Sequence, residues 1–244
     1  MTSTKIATST ATDITVRGKS LTRELIGKLT LTEMLCLSII GEVPDAGRVA
    51  CVDACLVALM EHGLTPSALA TRLVYGSAPE AMQGAVAAGL LGVGGQFVGT
   101  VEGCAELLAR IVASGDTASE SAAIVAAAKG PLPGFGHPLH KPDDPRTPVL
   151  FAVARQHGVA GRHVQALECL SAALDAAKQR HITVNATGAV AAVLADAGIP
   201  IAIMRGFALV ARCAGLVGHV AEEQREPSMQ SIWAAAERAV PYKP

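Results

Sequence analysis

The stretch GFGHPLHKPDDPR, Gly134 to Arg146, concentrates polar and titratable side chains in a chain otherwise rich in alanine, leucine, valine and glycine. Its prolines fix the backbone torsion φ and remove hydrogen-bond donors, so no regular helix can run through it. The sequence therefore predicts a rigid loop. Two imidazoles, His137 and His140, and the cation Lys141 lie in this loop. Titratable groups and cations on a rigid loop favour a site for an anionic molecule whose protons must be moved.

The composition outside the loop indicates an all-α protein. Hydrophobic residues make up 50% of the 244 residues and aromatic residues only 3%, so alanine, leucine, valine and isoleucine must build the core. Alanine is the best helix former, and apolar residues recur at spacings of three and four. One such series is Val164, Leu167, Leu170 and Leu174. The pattern predicts successive amphipathic helices on both sides of the loop.

Charge and apolar pattern exclude several classes of protein. The net charge is −1, whereas a nucleic-acid surface is usually strongly basic. The longest apolar stretch, residues 84–101, contains several glycines, so we expect a buried helix and turn rather than a membrane span. Residues 1–13 lack the apolar core of a signal peptide, and we expect a disordered tail. A cytoplasmic protein follows, with six cysteines as buried thiols of a reducing compartment.

The two loop histidines allow more than one interpretation. His137 is either a proton handler, or donor to a substrate oxygen, or a histidine bonded to nearby backbone. His140 with His137 and Asp143 imitates a metal site, yet the prolines prevent the helical presentation that zinc enzymes use. We therefore expect no metal.

Two polar residues stand out in the helical segments. His62 precedes Gly63, a plausible helix stop, and is expected at a helix C-terminus. Arg212 interrupts an otherwise apolar helix, and burying a guanidinium is costly unless an anion meets it. The anion could be a carboxylate of a bound ligand or a carboxylate of the protein in an internal salt bridge.

Taken in chain order, these motifs resemble those of the citrate synthase superfamily. The resemblance is greatest to its short members, the citryl-CoA lyases, and to the lyase domain of ATP-citrate lyase. The matching segments are Leu25 to Glu33, Glu61-His62-Gly63, GFGHPLHKPDDPR, and FALVARCAGLVGH with Gln224-Arg225. The resemblance implies a citrate synthase-like all-α fold over residues 14–244, a large helical domain with a small helical lobe at roughly residues 130–205.

The resemblance also implies roles for individual residues. His62 would bind the carboxylate of an oxoacid or citryl group, and His137 would donate to its carbonyl or hydroxyl oxygen. The substrate-binding residues would be Arg146, Arg212 and His140, with Arg225 reaching a neighbouring subunit's site. The coenzyme A-binding residues would be Lys141, at a phosphate, and the backbone of Pro133, Gly134, Phe135 and Gly136, at the adenine or pantetheine. Bidentate arginines suit an acid with two or three carboxylates.

Two positions depart from the family pattern. Val98 replaces the enolate-stabilising histidine of citrate synthases, which the lyase branch also lacks. Thr187, in Asn185-Ala186-Thr187-Gly188, stands where the family has its catalytic aspartate. Threonine can hydrogen-bond but cannot act as a base near neutral pH, and losing general-base catalysis typically costs about 10² to 10⁴ in rate. Either another group serves, with His140 the nearest candidate, or the reaction differs.

The sequence leads to two main hypotheses. The first is a carbon-carbon lyase that cleaves citryl-CoA, or a related branched 3-hydroxyacyl-CoA, into acetyl-CoA or another acyl-CoA and oxaloacetate or another oxoacid; a citrate synthase-type transferase ranks below it. The second is a catalytically silent protein that binds CoA thioesters on the same scaffold. A plain structural module ranks third. The resemblance implies a CoA thioester as substrate without a tightly bound cofactor, and a homodimer or a higher homo-oligomer.

Overall fold

A computed structural model describes residues 2–94 and 99–243. Within those ranges the chain is dominated by eleven α-helices, which confirms the prediction of an all-α architecture. In chain order the helices are α1 (Leu31–Ile40), α2 (Ala46–Met60), α3 (Pro66–Ser77), α4 (Met82–Leu91), α5 (Thr100–Ser114), α6 (Thr117–Ala127), α7 (Arg146–Gln156), α8 (Arg162–Lys178), α9 (Ala186–Asp196), α10 (Met204–Arg225) and α11 (Met229–Ala239). A π-helical turn at Leu21–Leu25 and a 3₁₀ turn at Ile201–Ile203 complete the helical elements of the described residues.

A small antiparallel sheet precedes the helices. Its strands are β1 (Ala7–Ser9), β2 (Ile14–Val16) and β3 (Lys19–Ser20), in the order β1-β2-β3. Strand β1 lies inside the segment predicted to be a disordered tail. That prediction is wrong for these residues, because their backbone pairs with β2 in a register that places Thr8 opposite Thr15.

Helix ends follow local capping chemistry. The Thr30 hydroxyl accepts from the Glu33 amide while the Glu33 carboxylate accepts from the Thr30 amide, so α1 begins with a capping box. Helix α6 begins differently from its prediction. Thr117 and Glu120 have the spacing of a capping box, which predicts a cap at Thr117, but the cap is Asp116, whose carboxylate accepts from the Ser119 amide. A carboxylate also suits the positive end of the helix dipole.

The chain divides into two compact units, each made of two segments. The first comprises Met1–Cys55 and Val101–Met204, and the second Leu56–Thr100 and Arg205–Pro244. The sequence-predicted lobe at 130–205 falls almost wholly inside the first unit and does not coincide with either one.

Each unit has its own packing. In the first, α8 packs against α6 and α9, and α7 packs against α9. The large side chains buried there are Leu108, Ile111, Val164, Leu167, Leu170 and Leu194. In the second, α3 packs against α4 and contacts α11. Its core cluster contains Ala68, Tyr75, Ala85, Val86, Leu216 and Val220.

Among the described residues, one helical segment, Ile201–Arg225, is long and apolar enough to cross a membrane by length and composition. It contains Arg212, His219 and Glu223, all of them buried. Burying such groups requires polar partners within the protein. We therefore interpret the segment as a core helix.

Candidate functional site

The predicted loop is held by backbone hydrogen bonds to the segment that precedes α9. The Gly136 amide donates to the Thr183 carbonyl at 2.7 Å, and the Asn185 amide donates to the Gly134 carbonyl at 3.0 Å. Phe135 forms an isolated antiparallel bridge with Val184 between these two bonds. The loop is thus fixed like a strand edge, which agrees with the rigidity predicted from its prolines.

Two glycines let this loop approach α9 more closely than side chains would permit. A Cβ atom at Gly188 would lie 2.6 Å from the Gly134 carbonyl oxygen, and one at Gly134 would lie 2.6 Å from Sγ of Cys104. Gly134 also has φ of +86°, a conformation that favours glycine. Burial raises the pKa of the Cys104 thiol to about 12, so this sulfur is a packing atom rather than a nucleophile.

The loop also fixes the proton of one imidazole. Nδ1 of His137 accepts hydrogen bonds from the amides of Leu139, at 3.1 Å, and His140, at 2.9 Å. A nitrogen that accepts from two N–H groups carries no proton, so a neutral His137 holds its proton on Nε2. The two interpretations of His137 are therefore compatible: its Nδ1 is bonded to nearby backbone, and its Nε2–H is a donor.

The other predicted residues of the loop differ in exposure. The His140 ring stacks on His137 with 4.3 Å between centroids. Lys141 is exposed, Gly136 is exposed, and Phe135 is buried. Of the four residues predicted to pack coenzyme A through their backbone, Pro133 is partly buried and Gly134 is buried.

Arg146 proves to be organised by a neighbour that the sequence analysis missed. The carboxylate of Asp144, fully buried, accepts from Nε of Arg146 at 3.0 Å and from Nη2 at 2.8 Å. It also accepts from the Ala186 amide at 3.0 Å. Burial raises the pKa of Asp144, but Arg146 and the Ala186 amide outweigh it and lower the pKa to about 2. A permanently ionised Asp144 thus orients the guanidinium.

The same contacts explain where α7 starts. A proline is well placed as a first helical residue, so the sequence predicts a start at Pro148, whereas α7 begins at Arg146. The Asp144 carboxylate accepts from the Arg146 amide at 3.1 Å. This satisfies one of the backbone donors that a helix start leaves without an intrahelical acceptor.

Thr187 lies in the first turn of α9 rather than in a loop. Asn185 caps this helix, accepting from the Gly188 amide, and its side-chain amide donates to the Gly136 carbonyl at 2.8 Å. The Thr187 hydroxyl donates to Oδ1 of Asn185 at 2.7 Å. Thr187 is therefore tied to Asn185, the side chain that anchors the predicted loop.

In the second unit, His62 lies two residues beyond Met60, the last residue of α2, and so lies close to the predicted helix C-terminus. The preceding residue, Glu61, holds this turn, because its Oε1 accepts from the amides of His62 and Gly63, both at 2.7 Å. Burial raises the pKa of Glu61, but the amide of His62 and the contact with His219 outweigh it, so that the pKa lies below its usual value. Glu61 is therefore a carboxylate at neutral pH.

Arg212 is buried, and the carboxylate of Glu61 lies near it. Its Nη1 is 3.9 Å from Oε1 of Glu61, at the outer limit of an ion pair. The sequence left a carboxylate ligand and an internal salt bridge as alternatives for this arginine. The second is present in this loose form.

A buried charged network surrounds Arg72, which the sequence analysis did not single out. Its Nε donates to Nδ1 of His219 at 2.9 Å, and its Nη1 donates to Glu223 at 2.9 Å. Glu222 and Ser228 are further partners. A local signal existed, since Arg72 interrupts an apolar helix as Arg212 does, and His219 and Glu223 lie one turn apart on α10.

Two predicted positions remain. Arg225 is exposed and is the last residue of α10. Val98 lies outside the described residues.

The first unit also carries a groove with a volume of about 480 Å³ beside the loop. His181 lies at this groove between two carboxylates, with Nδ1 2.6 Å from Asp175 and Nε2 2.9 Å from Asp143. The hydrogen bonds to Asp175 and Asp143 raise the pKa of His181 above its usual value.

The chain is similar to known proteins of one family. The family model described as "Citrate synthase, C-terminal domain" matches residues 3–233. The solved structure of citryl-CoA lyase from Hydrogenobacter thermophilus is 30% identical, with a TM-score of 0.90 over 100% of this chain and 95% of that chain. ATP citrate lyase from Methanothrix soehngenii, in complex with citrate and coenzyme A, has a TM-score of 0.79 at 18% identity over 92% of this chain and 39% of that chain; at such identity the likeness shows the fold alone.

The curated proteins that match are longer than this chain. "Putative citrate synthase 2" of Mycobacterium tuberculosis is 30% identical over 191 residues, which are 75% of this chain and 49% of that protein. The chain thus spans about half the length of the curated relatives it matches.

Proposed function

Because the chain belongs to the citrate synthase family, we propose that it is a lyase that cleaves citryl-CoA, or a related branched 3-hydroxyacyl-CoA, into an acyl-CoA and an oxoacid. The similarity to citryl-CoA lyase, with a TM-score of 0.90 at 30% identity, supports this choice.

The proton position of His137 carries the proposal. In the cleavage direction the substrate hydroxyl loses its proton and the adjacent carbon-carbon bond breaks. The hydroxyl oxygen becomes the oxoacid carbonyl, and the bonding electrons form the acyl-CoA enolate, which then takes a proton at carbon. The Nε2–H of His137 donates to this oxygen, where negative charge develops as the proton leaves. With Nδ1 occupied by two amides, His137 acts as a donor and not as the base.

The remaining roles concern the anionic groups of the substrate. Arg146, oriented by Asp144, and Arg212 bind carboxylates, and His62 donates to another. Lys141 binds a phosphate of coenzyme A from its exposed position, with the Pro133–Gly136 backbone beside the adenine or pantetheine. Arginine suits these carboxylates because its planar donors match both oxygens.

Thr187 cannot take a proton near neutral pH, so another group must accept the proton of the substrate hydroxyl. We assign the hydroxyl proton to His140, which stacks on His137. A His140→Gln variant removes the titratable nitrogen while keeping polar atoms. We expect kcat for citryl-CoA cleavage to fall on the order of 10²-fold. A loss below threefold would assign the base elsewhere.

Thr187 also favours a second candidate function, a catalytically silent protein that binds CoA thioesters. One experiment separates the two. Purified protein is mixed with citryl-CoA, oxaloacetate is followed through malate dehydrogenase and NADH, and calorimetry measures binding of the thioester. Turnover supports the lyase. Micromolar binding without turnover excludes the lyase for that substrate and supports the silent protein.

Restoring the family residue provides a companion test. In Thr187→Asp the new carboxylate lies in the first turn of α9, where the helix dipole favours a negative charge. We expect citryl-CoA cleavage or citrate formation to rise. An unchanged rate would mean that position 187 is not the base site in this chain.

We also propose a homodimer in which Arg225 reaches a neighbouring subunit's site. Sedimentation measures the oligomeric state. Mixing inactive His137→Asn with inactive Arg225→Ala should then restore part of the activity, because a mixed dimer contains one intact site. A monomer, or no recovery on mixing, would contradict this arrangement.

A further inference from the structure

The carboxylate of Glu61 connects the turn of His62 to α10. Oε1 accepts from the amides of His62 and Gly63. Oε2 lies 3.0 Å from Nε2 of His219, a close but bent contact. Each carboxylate oxygen is thus committed to a different part of the second unit.

The proton on His219 is set by Arg72. Nδ1 of His219 accepts from Nε of Arg72 at 2.9 Å, so a neutral ring carries its proton on Nε2, facing Glu61. Arg72 cannot turn away easily, because Glu223 accepts from its Nη1 at 2.9 Å and both residues are buried. A neutral His219 therefore presents its Nε2 proton to the Glu61 carboxylate, 3.0 Å away.

A glycine brings the backbone of α10 against the end of α2. A Cβ atom at Gly215 would lie 2.0 Å from the Met60 carbonyl oxygen. Arg212, Gly215 and His219 are spaced by three and four residues, so they share one face of α10. The residue before Glu61 and the Glu61 carboxylate both meet this face.

We propose that Arg72, His219 and Glu61 form a positioning relay that orients His62 and Arg212 toward the acid portion of the substrate. This inference rests on the proposed function, because it takes His62 and Arg212 as substrate-binding groups. All three residues act through others: Arg72 fixes the tautomer of His219, His219 faces the Glu61 carboxylate, and Glu61 holds the His62 amide. Nη1 of Arg212 lies 3.9 Å from Glu61, which is too far for a bidentate pair with that carboxylate.

The first test is spectroscopic and needs no substrate. The full chain is labelled with ¹⁵N-histidine, and long-range proton-nitrogen spectra are recorded between pH 6 and 8. The His219 signals are identified by their loss in His219→Leu. We expect the neutral ring to carry its proton on Nε2. A neutral ring with its proton on Nδ1 overturns the relay.

The second test is kinetic. His219→Leu removes both ring nitrogens, whereas His219→Gln can still accept from Arg72 and donate to Glu61. We expect His219→Leu to lower kcat/KM for citryl-CoA on the order of tenfold or more, and His219→Gln to recover to within threefold of the parent. The control is Tyr75→Phe, which removes the 2.9 Å bond from Gln224 to the Tyr75 hydroxyl in the same unit. Its kcat/KM should change by less than twofold.

The outcomes separate the relay from the proposed function. If the parent cleaves citryl-CoA and His219→Leu stays within twofold of it, the relay is wrong. If the parent has no activity, the proposed function fails by itself, and the His62 ring signals then decide. The relay stands if His219→Leu shifts those signals while Tyr75→Phe does not, and it is overturned if neither variant shifts them.

Discussion

The loop Gly134–Arg146 and the network around Arg72 both hold candidate site residues in place. The loop uses the main chain, and the network uses side chains. The loop holds the ring of His137 through main-chain hydrogen bonds to its Nδ1. The network holds Glu61 through side-chain charges that are themselves buried. A change in the loop should therefore affect the reaction first, whereas a change in the network should affect folding as well.

The largest effect is expected for the donor in the loop. In His137→Asn the shorter side chain can still accept from the amides of Leu139 and His140, but the Nε2–H is lost. We expect kcat for citryl-CoA cleavage to fall about 10²- to 10³-fold, a loss typical of one donor at a developing oxyanion, with KM within threefold of the parent. Steady-state kinetics measure both. A fall below tenfold would mean that the loop contributes binding and not chemistry.

The loop also contains a buried charge, Asp144, whose removal should lower the stability of the fold. Asp144→Asn leaves Arg146 without its ionised partner, and breaking a buried pair typically costs about 3 kcal/mol or more of unfolding free energy. The pKa of Asp144 is lowered to about 2. Its contribution is therefore present above the ordinary pKa of about 4 and is lost as the pH falls toward 2.

Urea unfolding of both proteins at several pH values measures this contribution. The difference between parent and variant should be large at pH 7 and shrink toward pH 2. Asp143→Asn, an exposed neighbour, is the control and should differ by less than about 0.5 kcal/mol at pH 7. A difference for Asp144→Asn that does not depend on pH would contradict the ionised pair.

Within the network, Glu223 is the carboxylate with the most partners. It accepts from the amides of Ser228 and Met229 as well as from Arg72. Glu223→Gln replaces one acceptor oxygen by a donor, so we expect a loss of about 2 kcal/mol in unfolding free energy. The control is Glu237→Gln, which changes an exposed acceptor of Trp233 and should cost less than about 0.5 kcal/mol. Equal losses would mean that burial of Glu223 adds nothing.

The same contrast explains what could be predicted from the sequence. Helices follow from apolar spacing and caps, as for Thr30 and Glu33, because those signals act within one turn. The loop was recognisable since its prolines, glycines and histidines are adjacent in sequence. Arg72 and His219 are 147 residues apart, and no local pattern pairs them. Asp144 was missed for another reason: its burial depends on the fold, whereas its sequence context reads as a polar turn.

The smallest effect is expected at His181. This residue lies beside the loop but, like the residues of the network, is held by charged side chains, in an ion pair that is exposed. Asp175 and Asp143 raise the pKa of His181, so the charged ring stabilises the fold fully below its unfolded pKa of about 6.5. That contribution is lost as the pH rises through the higher folded value. His181→Asn should therefore be less stable than the parent at pH 5.5 by up to about 1 kcal/mol, the upper range for exposed pairs, and should match it more closely at pH 9. Urea unfolding at the two pH values measures the change. A difference that grows from pH 5.5 to pH 9 would show that the ring acts in its neutral form, and the carboxylates would then not hold a charge there.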